Sequence, residues 1–176
     1  MDAAPLCGWL VDLRDNGGGN MWPMLKGLDP LLGTAPFGHF VLSANATMPW
    51  VRAFGNIFPS KETFDAAPPA FKLAHADAPL AILFGPNTAS SGEMTAIALL
   101  GRARVRTFGA PTAGFTTANE TSPLGDGAVL VITTMTVRDR TGKNYAGPIV
   151  PDDRVALADA EAAAKTWLRS QCRARP

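Results

Sequence analysis

Three features of this 176-residue chain predict an α/β fold in a single domain. Short continuous apolar runs end in polar or glycine-rich turns, as buried strands do. Helix-like segments follow two of those runs, and strands alternating with helices argue for layered α/β architecture. A third run, near residue 130, alternates apolar with polar residues and ends in Thr-Gly, a hairpin signal.

Taken in order, CGWLVDL (7–13) reads as the first buried strand, and RDNGGGN after it as a loop whose backbone must bend sharply. MWPMLKGLDPLLG has helical spacing interrupted by Gly27 and Pro30, and HFVLSA (39–44) is a strand candidate. Residues 45–79, rich in Pro, Ala, Phe and Asn, show little period and read as a long covering segment. PLAILFGP (79–86) is the second buried strand, and the serine pair behind it opens a helix over 91–101. VRTFGAPTAG (105–114) is a strand ending in a Pro/Gly turn. AVLVITTMTVRDRTG (128–142) is the alternating hairpin strand. Leu157 to Arg173, with acids early and bases late, suits a terminal helix and its dipole.

Composition narrows the function classes. With 47% hydrophobic and 18% charged residues the chain is of globular type and long enough for a sizeable core. A net charge of +1 offers no electrostatic footprint for nucleic acid or an anionic membrane. Its apolar runs fall short of the ~18 residues of a membrane span, and no cationic apolar leader opens it. Cys7 and Cys172 stand near the two ends and have the option of pairing, but idle thiols are the expected state. No CxxC or Cys/His spacing suggests a metal, and nothing indicates an organic cofactor.

The chemistry centres on two strand-to-turn sites of like construction, VDLRDNGGGN and LFGPNTASSGEM. Ser90-x-x-Glu93 fits the capping box, so helix initiation alone is a sufficient reading of the serine. A second reading arises if the two turns lie side by side. The first offers glycine amides with no side chain in the way; the second offers a hydroxyl at a helix N-terminus, where free N–H groups favour negative charge. A glycine N–H and the Ser91 N–H would then converge on one oxyanion, with Ser90 placed to attack the carbonyl. The site is not the G-x-S-x-G elbow, because Thr88 stands where that motif needs glycine.

Four segments in order carry a family resemblance. DLRDNGGGN resembles the D-L-R-x-N-x-G-G turn of the S41 serine peptidases, the carboxyl-terminal processing or tail-specific proteases. NTASSGEM resembles their nucleophile segment, and GRARVRTFGAPTAG their G-R-A-x-V-x-G-E-P-T-x-G stretch. LGDGAVLVITTMTVRDRTGKNYAGPIVPDD resembles their hairpin and closing G-I-x-P-D. The resemblance implies a core of ββα units like those of the ClpP and crotonase group. It also implies an endopeptidase or peptide-trimming activity through an acyl-enzyme on a peptide or protein substrate. It puts the nucleophile on Ser90 and the oxyanion donors on the N–H of Ser91 and of Gly18 or Gly19. Asn119 is either a substrate-positioning residue or an ordinary turn asparagine.

The pattern breaks at the base. A serine needs one, and Phe115 occupies the slot of the processing proteases' lysine. TASSGEM is closer to the nisin-resistance and tricorn-type branch, whose base is a histidine lying well upstream of the D-L-R turn. The chain is accordingly read as the peptidase core without an N-terminal cap segment, its site completed by that segment or by another copy. Export is what the branch implies. His39 and His75 match no family motif. Asp12 and Arg14 read as an ion pair bracing the glycine turn, Asp126 as turn chemistry, and Lys26 as a solvated helix residue. Two rivals stand beside the peptidase: a non-catalytic relative that keeps the groove, and a crotonase-like acyl-CoA enzyme using the same paired amides.

Overall fold

The computed structural model describes residues 6–62, 68–69 and 71–173. A four-stranded parallel sheet carries β1 (Trp9–Asp12), β5 (Leu80–Phe84), β6 (Val105–Gly109) and β10 (Asp153–Arg154) in the order β1-β5-β6-β10. β5 is buried along its whole length, which explains its unbroken apolar spelling. Its residues divide by period two. Leu80, Ile82 and Phe84 enter the main core, while Ala81 and Leu83 meet Ala160, Ala164 and Leu168 of α4 (Ala160–Arg173) on the other face.

A second sheet, antiparallel, has the order β4-β3-β2-β8-β7, with β9 also paired to β8. It comprises β2 (Gly38–Ser43), β3 (Ala46–Ala53), β4 (Asn56–Pro59), β7 (Thr117–Pro123), β8 (Val129–Asp139) and β9 (Asn144–Tyr145). Between the sheets lie α1 (Met21–Gly27), α2 (Asp29–Leu32) and α3 (Ser91–Leu99). Every residue of α3 from Gly92 to Leu99 is buried, so it has no polar stripe to show. The mixed α/β architecture agrees with the sequence reading.

Three expectations fail locally. Within the supposed covering segment, residues 46–59 form the β3–β4 hairpin, turning at Phe54 (φ 52°) and Gly55 (φ 71°). The left-handed pair is the turn chemistry that marks such hairpins, but Phe in the first position hid it. β7 was also missed, because its sequence TANETSP is polar and the strand is held by its partner β8 along seven paired residues rather than by burial. Finally, the cysteines are not idle thiols: Cys7 and Cys172 form a disulfide that ties the lead-in of β1 to the end of α4.

Candidate active site

The carboxyl ends of β1 and β5 are neighbours in the parallel sheet, so the loops leaving them emerge together. Backbone and side-chain bonds then fasten loop to loop. The Leu13 N–H donates to the Leu83 carbonyl at 2.8 Å, and the Ala89 N–H to the Asn16 carbonyl at 3.0 Å. Thr88, fully buried, donates its hydroxyl to the Leu13 carbonyl at 2.7 Å and accepts the Gly85 N–H at 3.0 Å. Its place two residues before Ser90 is therefore a cross-strap, a role that its sequence position alone did not reveal.

The triple-glycine bend closes against the serines. Gly18 has φ 108° and Gly19 φ 114°, both in the region that favours glycine. A Cβ on Gly18 would lie 2.9 Å from Ser90 Cβ and 3.2 Å from the Ser91 nitrogen. Gly92 is needed for the same reason, since a Cβ there would meet the Asn16 carbonyl at 2.3 Å. The Ser91 hydroxyl donates to the Gly19 carbonyl at 2.5 Å. Asn16 Oδ1 accepts the Gly18 N–H at 3.1 Å, and its Nδ2 faces Met24 Sδ at 3.5 Å. Asn16 thus ties the bend to α1; the sequence placed it in the D-L-R-x-N-x-G-G turn without giving it a role.

Ser90 itself sits at φ 50°, ψ −119°, a strained conformation for a residue with a Cβ. Glu93, fully buried, accepts the Ser90 N–H at 3.0 Å, the Gly114 N–H at 2.8 Å and the Thr112 hydroxyl. The capping box is therefore firm on its glutamate side, which also anchors the APTAG turn. On the serine side it is loose: the hydroxyl makes no N-cap hydrogen bond of ordinary geometry. The Ser91 N–H is the first helical amide and has no intrahelical acceptor.

A cavity of about 580 Å³ opens beside these groups. Its rim carries Gly19, Asn20, Ser90, Ser91, Thr117 and Asn119, and its walls are apolar, from Met21, Trp22, Phe40, Met48, Met94 and Met135. That is the usual composition of a small-molecule or side-chain pocket, few polar groups on an apolar body. Asn119 lies where β7 slips register against β8, and its Oδ1 accepts the Thr133 hydroxyl at 2.8 Å.

The five site residues read from sequence, Gly18, Gly19, Ser90, Ser91 and Asn119, thus gather at one place, with Gly18 just behind the cavity wall. The other candidates do not join them. Among the described residues no histidine, lysine or carboxylate lines the cavity. His39 follows Gly38 on β2, and its neighbour Phe40 takes the cavity-facing side of the strand. Burial, then the nearby Arg138, push its imidazole below the ordinary histidine value. His75 lies in the turn before β5, where its carbonyl accepts the Trp9 indole N–H. Phe115, in the lysine slot, is 64% exposed. Arg14 grips Asp12 through both carboxylate oxygens and reaches the Leu157 carbonyl, bracing the turn as expected. Asp126 accepts the Ala128 N–H at the hairpin tip, and Lys26 reaches Asn56 across the surface.

Comparison with known proteins converges on one family. The sequence model of Peptidase family S41 matches residues 1–155. A nisin-resistance protein of Lactococcus lactis subsp. lactis is 36% identical over 169 residues, covering 93% of this chain and 50% of the relative. Among solved structures, a lipoprotein from Streptococcus agalactiae superposes with a TM-score of 0.71 at 33% identity, covering 93% of this chain and 55% of that one. A photosystem II D1 C-terminal processing protease shares the fold, with a TM-score of 0.62 at 21% identity over 86% of this chain and 35% of its own. The chain spans about half the length of the nisin-resistance protein and of the streptococcal lipoprotein. On the matched span and the ordered motifs alike, the chain belongs to peptidase family S41.

Proposed function

We propose that this chain is the core of a serine endopeptidase or peptide-trimming hydrolase in which Ser90 forms the acyl-enzyme. The observation that supports this most is the contact of the triple-glycine bend with the Ser90–Ser91 turn, at the mouth of a cavity. Ser90 Oγ attacks the scissile carbonyl, giving its proton to a base. The developing oxyanion is met by the N–H of Ser91 and by a glycine amide. Gly19 is the better placed of the pair, because the Gly18 N–H is occupied by Asn16. One such donor contributes roughly 3–4 kcal/mol to lowering the barrier. The base then protonates the leaving amine, and water releases the acyl group by the reverse path.

The base proposed is a histidine from outside this chain, from an upstream segment or another copy, because the cavity wall offers no basic side chain among the described residues. An oxidising compartment is proposed on the Cys7–Cys172 disulfide. The second reading, a peptide-binding relative without turnover, is favoured by Phe115 in the lysine slot. A fluorophosphonate separates them. Applied to the protein carrying the segment or copy that brings the base, labelling of the peptide containing Ser90, abolished in Ser90→Ala, is the expected result; an unlabelled Ser90 in that complete protein gives the case to the binding reading.

A further inference from the structure

Four of the six methionines in the chain line one cavity: Met21 from α1, Met48 from β3, Met94 from α3 and Met135 from β8. They come from four separate elements, so no local pattern accounts for the grouping. Met21 and Met94 are buried (6% and 3% exposed), whereas Met48 and Met135 are only partly covered. The ring is therefore accessible from the mouth at Ser90. Trp22 and Phe40 share the wall with the methionines and pack edge to face with the fully buried Trp50, centroids 5.1–6.4 Å apart. No charged side chain lines the space among the described residues.

Unbranched thioether side chains beside packed aromatic rings suit a surface that adapts to different apolar shapes while refusing charge. We propose that this ring is the subsite for the substrate side chain next to the scissile bond. It accepts leucine, methionine and phenylalanine alike and rejects charged residues. The assignment of that side chain to the scissile bond rests on Ser90 as nucleophile; the binding itself does not. The volume, about 580 Å³, is ample for one large side chain. β7 offers a way to lay the peptide across the mouth. It is the outer strand of its sheet, and Thr117, Ala118 and Asn119 all border the cavity. An extended peptide added along that edge would present alternate side chains to one face.

The test uses the chain labelled with 13C at its methionine methyls, as wild type and as Ser90→Ala. It is titrated with acetyl-Ala-Ala-X-Ala-Ala-amide. With X = Leu, Met or Phe, the methyls of Met21, Met48, Met94 and Met135 shift, with affinities within about fivefold of one another. Met24, whose sulfur is engaged by Asn16 and Thr95, stays put. X = Ala binds roughly 60-fold more weakly than X = Leu for its three missing carbons, and X = Glu or Lys on the order of 100-fold more weakly. Met135→Glu, at a partly exposed position, reverses the order in favour of X = Lys. Equal affinity for every X, or shifts confined to methyls outside the ring, overturns the subsite. Methyl shifts in the expected order, on a protein that fluorophosphonate does not label even with the base-bearing segment or copy present, would keep the subsite and remove the peptidase.

Discussion

Ser90 is both strained and anchored, and the two properties separate experimentally. Its φ of 50° is one that glycine adopts freely. Ser90→Gly is expected to be more stable than Ser90→Ala by about 1 kcal/mol in urea unfolding; equal stabilities would show that the residue is not strained. Glu93 has the opposite character. Its carboxylate satisfies two amides and a hydroxyl in a fully buried place. Glu93→Ala strands all three donors and should cost about 3 kcal/mol or more, with loss of Ser90 labelling; a variant as stable as wild type would refute that account. Asp139 gives a pH signature. Burial works against its charge, but hydrogen bonds from the Thr141 and Tyr145 hydroxyls and the Thr141 and Lys143 amides prevail, and its carboxyl is held below the ordinary range. A depressed carboxylate stabilises the fold above its unfolded value and loses that contribution as pH falls through the folded one. The stability of wild type should therefore fall more steeply below about pH 4 than that of Asp139→Asn. Parallel profiles would remove Asp139 from the account.

The element on which the proposed chemistry rests is the junction of two loops, and there Gly18 is required by close packing. Gly18→Ala must place a methyl against Ser90 Cβ at a φ of 108°. The variant should lose about 2 kcal/mol and most of its fluorophosphonate reactivity; unchanged labelling would mean that the bend and the serine turn do not need to touch. The β7–β8 hairpin is the other element of note. Val129, Leu130, Val131 and Ile132 are 43–61% exposed, two on each face of the ribbon. The apolar run here belongs to a strand as expected, but it does not reveal which face is covered, since over these four residues neither is. Along this stretch the strand is paired by β7, a polar segment that no apolar period announces. The β3–β4 hairpin escaped for a related reason: Phe54 takes a left-handed position usually given to Asn, Asp or Gly.

At the scale of the whole molecule, the disulfide links residues separated by 165 positions and so encloses nearly the entire chain. Closing a loop of that length removes unfolded-state entropy equivalent to about 5 kcal/mol. The Cys7→Ser/Cys172→Ser variant should therefore have a much lower denaturant midpoint than the oxidised protein. A midpoint unchanged on reduction would show that the cross-link is not formed in solution. Pairing also depends on α4 lying across β5 and β6, where Ala160, Ala164 and Leu168 meet Ala81, Leu83 and Phe108. That packing brings the two ends of the chain together.

Local chemistry was readable in the chain because it is written locally. Glycine runs specify bends, a serine three residues before a glutamate specifies a helix start, and uninterrupted apolar runs specify buried strands. From these the α/β class and the meeting of the glycine bend with the Ser90–Ser91 turn could be anticipated, whereas the family and the place of Asn119 came from the resemblance of four ordered motifs. Folding alone decided what depends on residues distant in sequence becoming neighbours. That includes the pairing of Cys7 with Cys172, the straps from Thr88 and Asn16, and the four methionines drawn from four elements into one wall. Each is a contact between segments with no shared period or spacing, so only the packed chain carries the information.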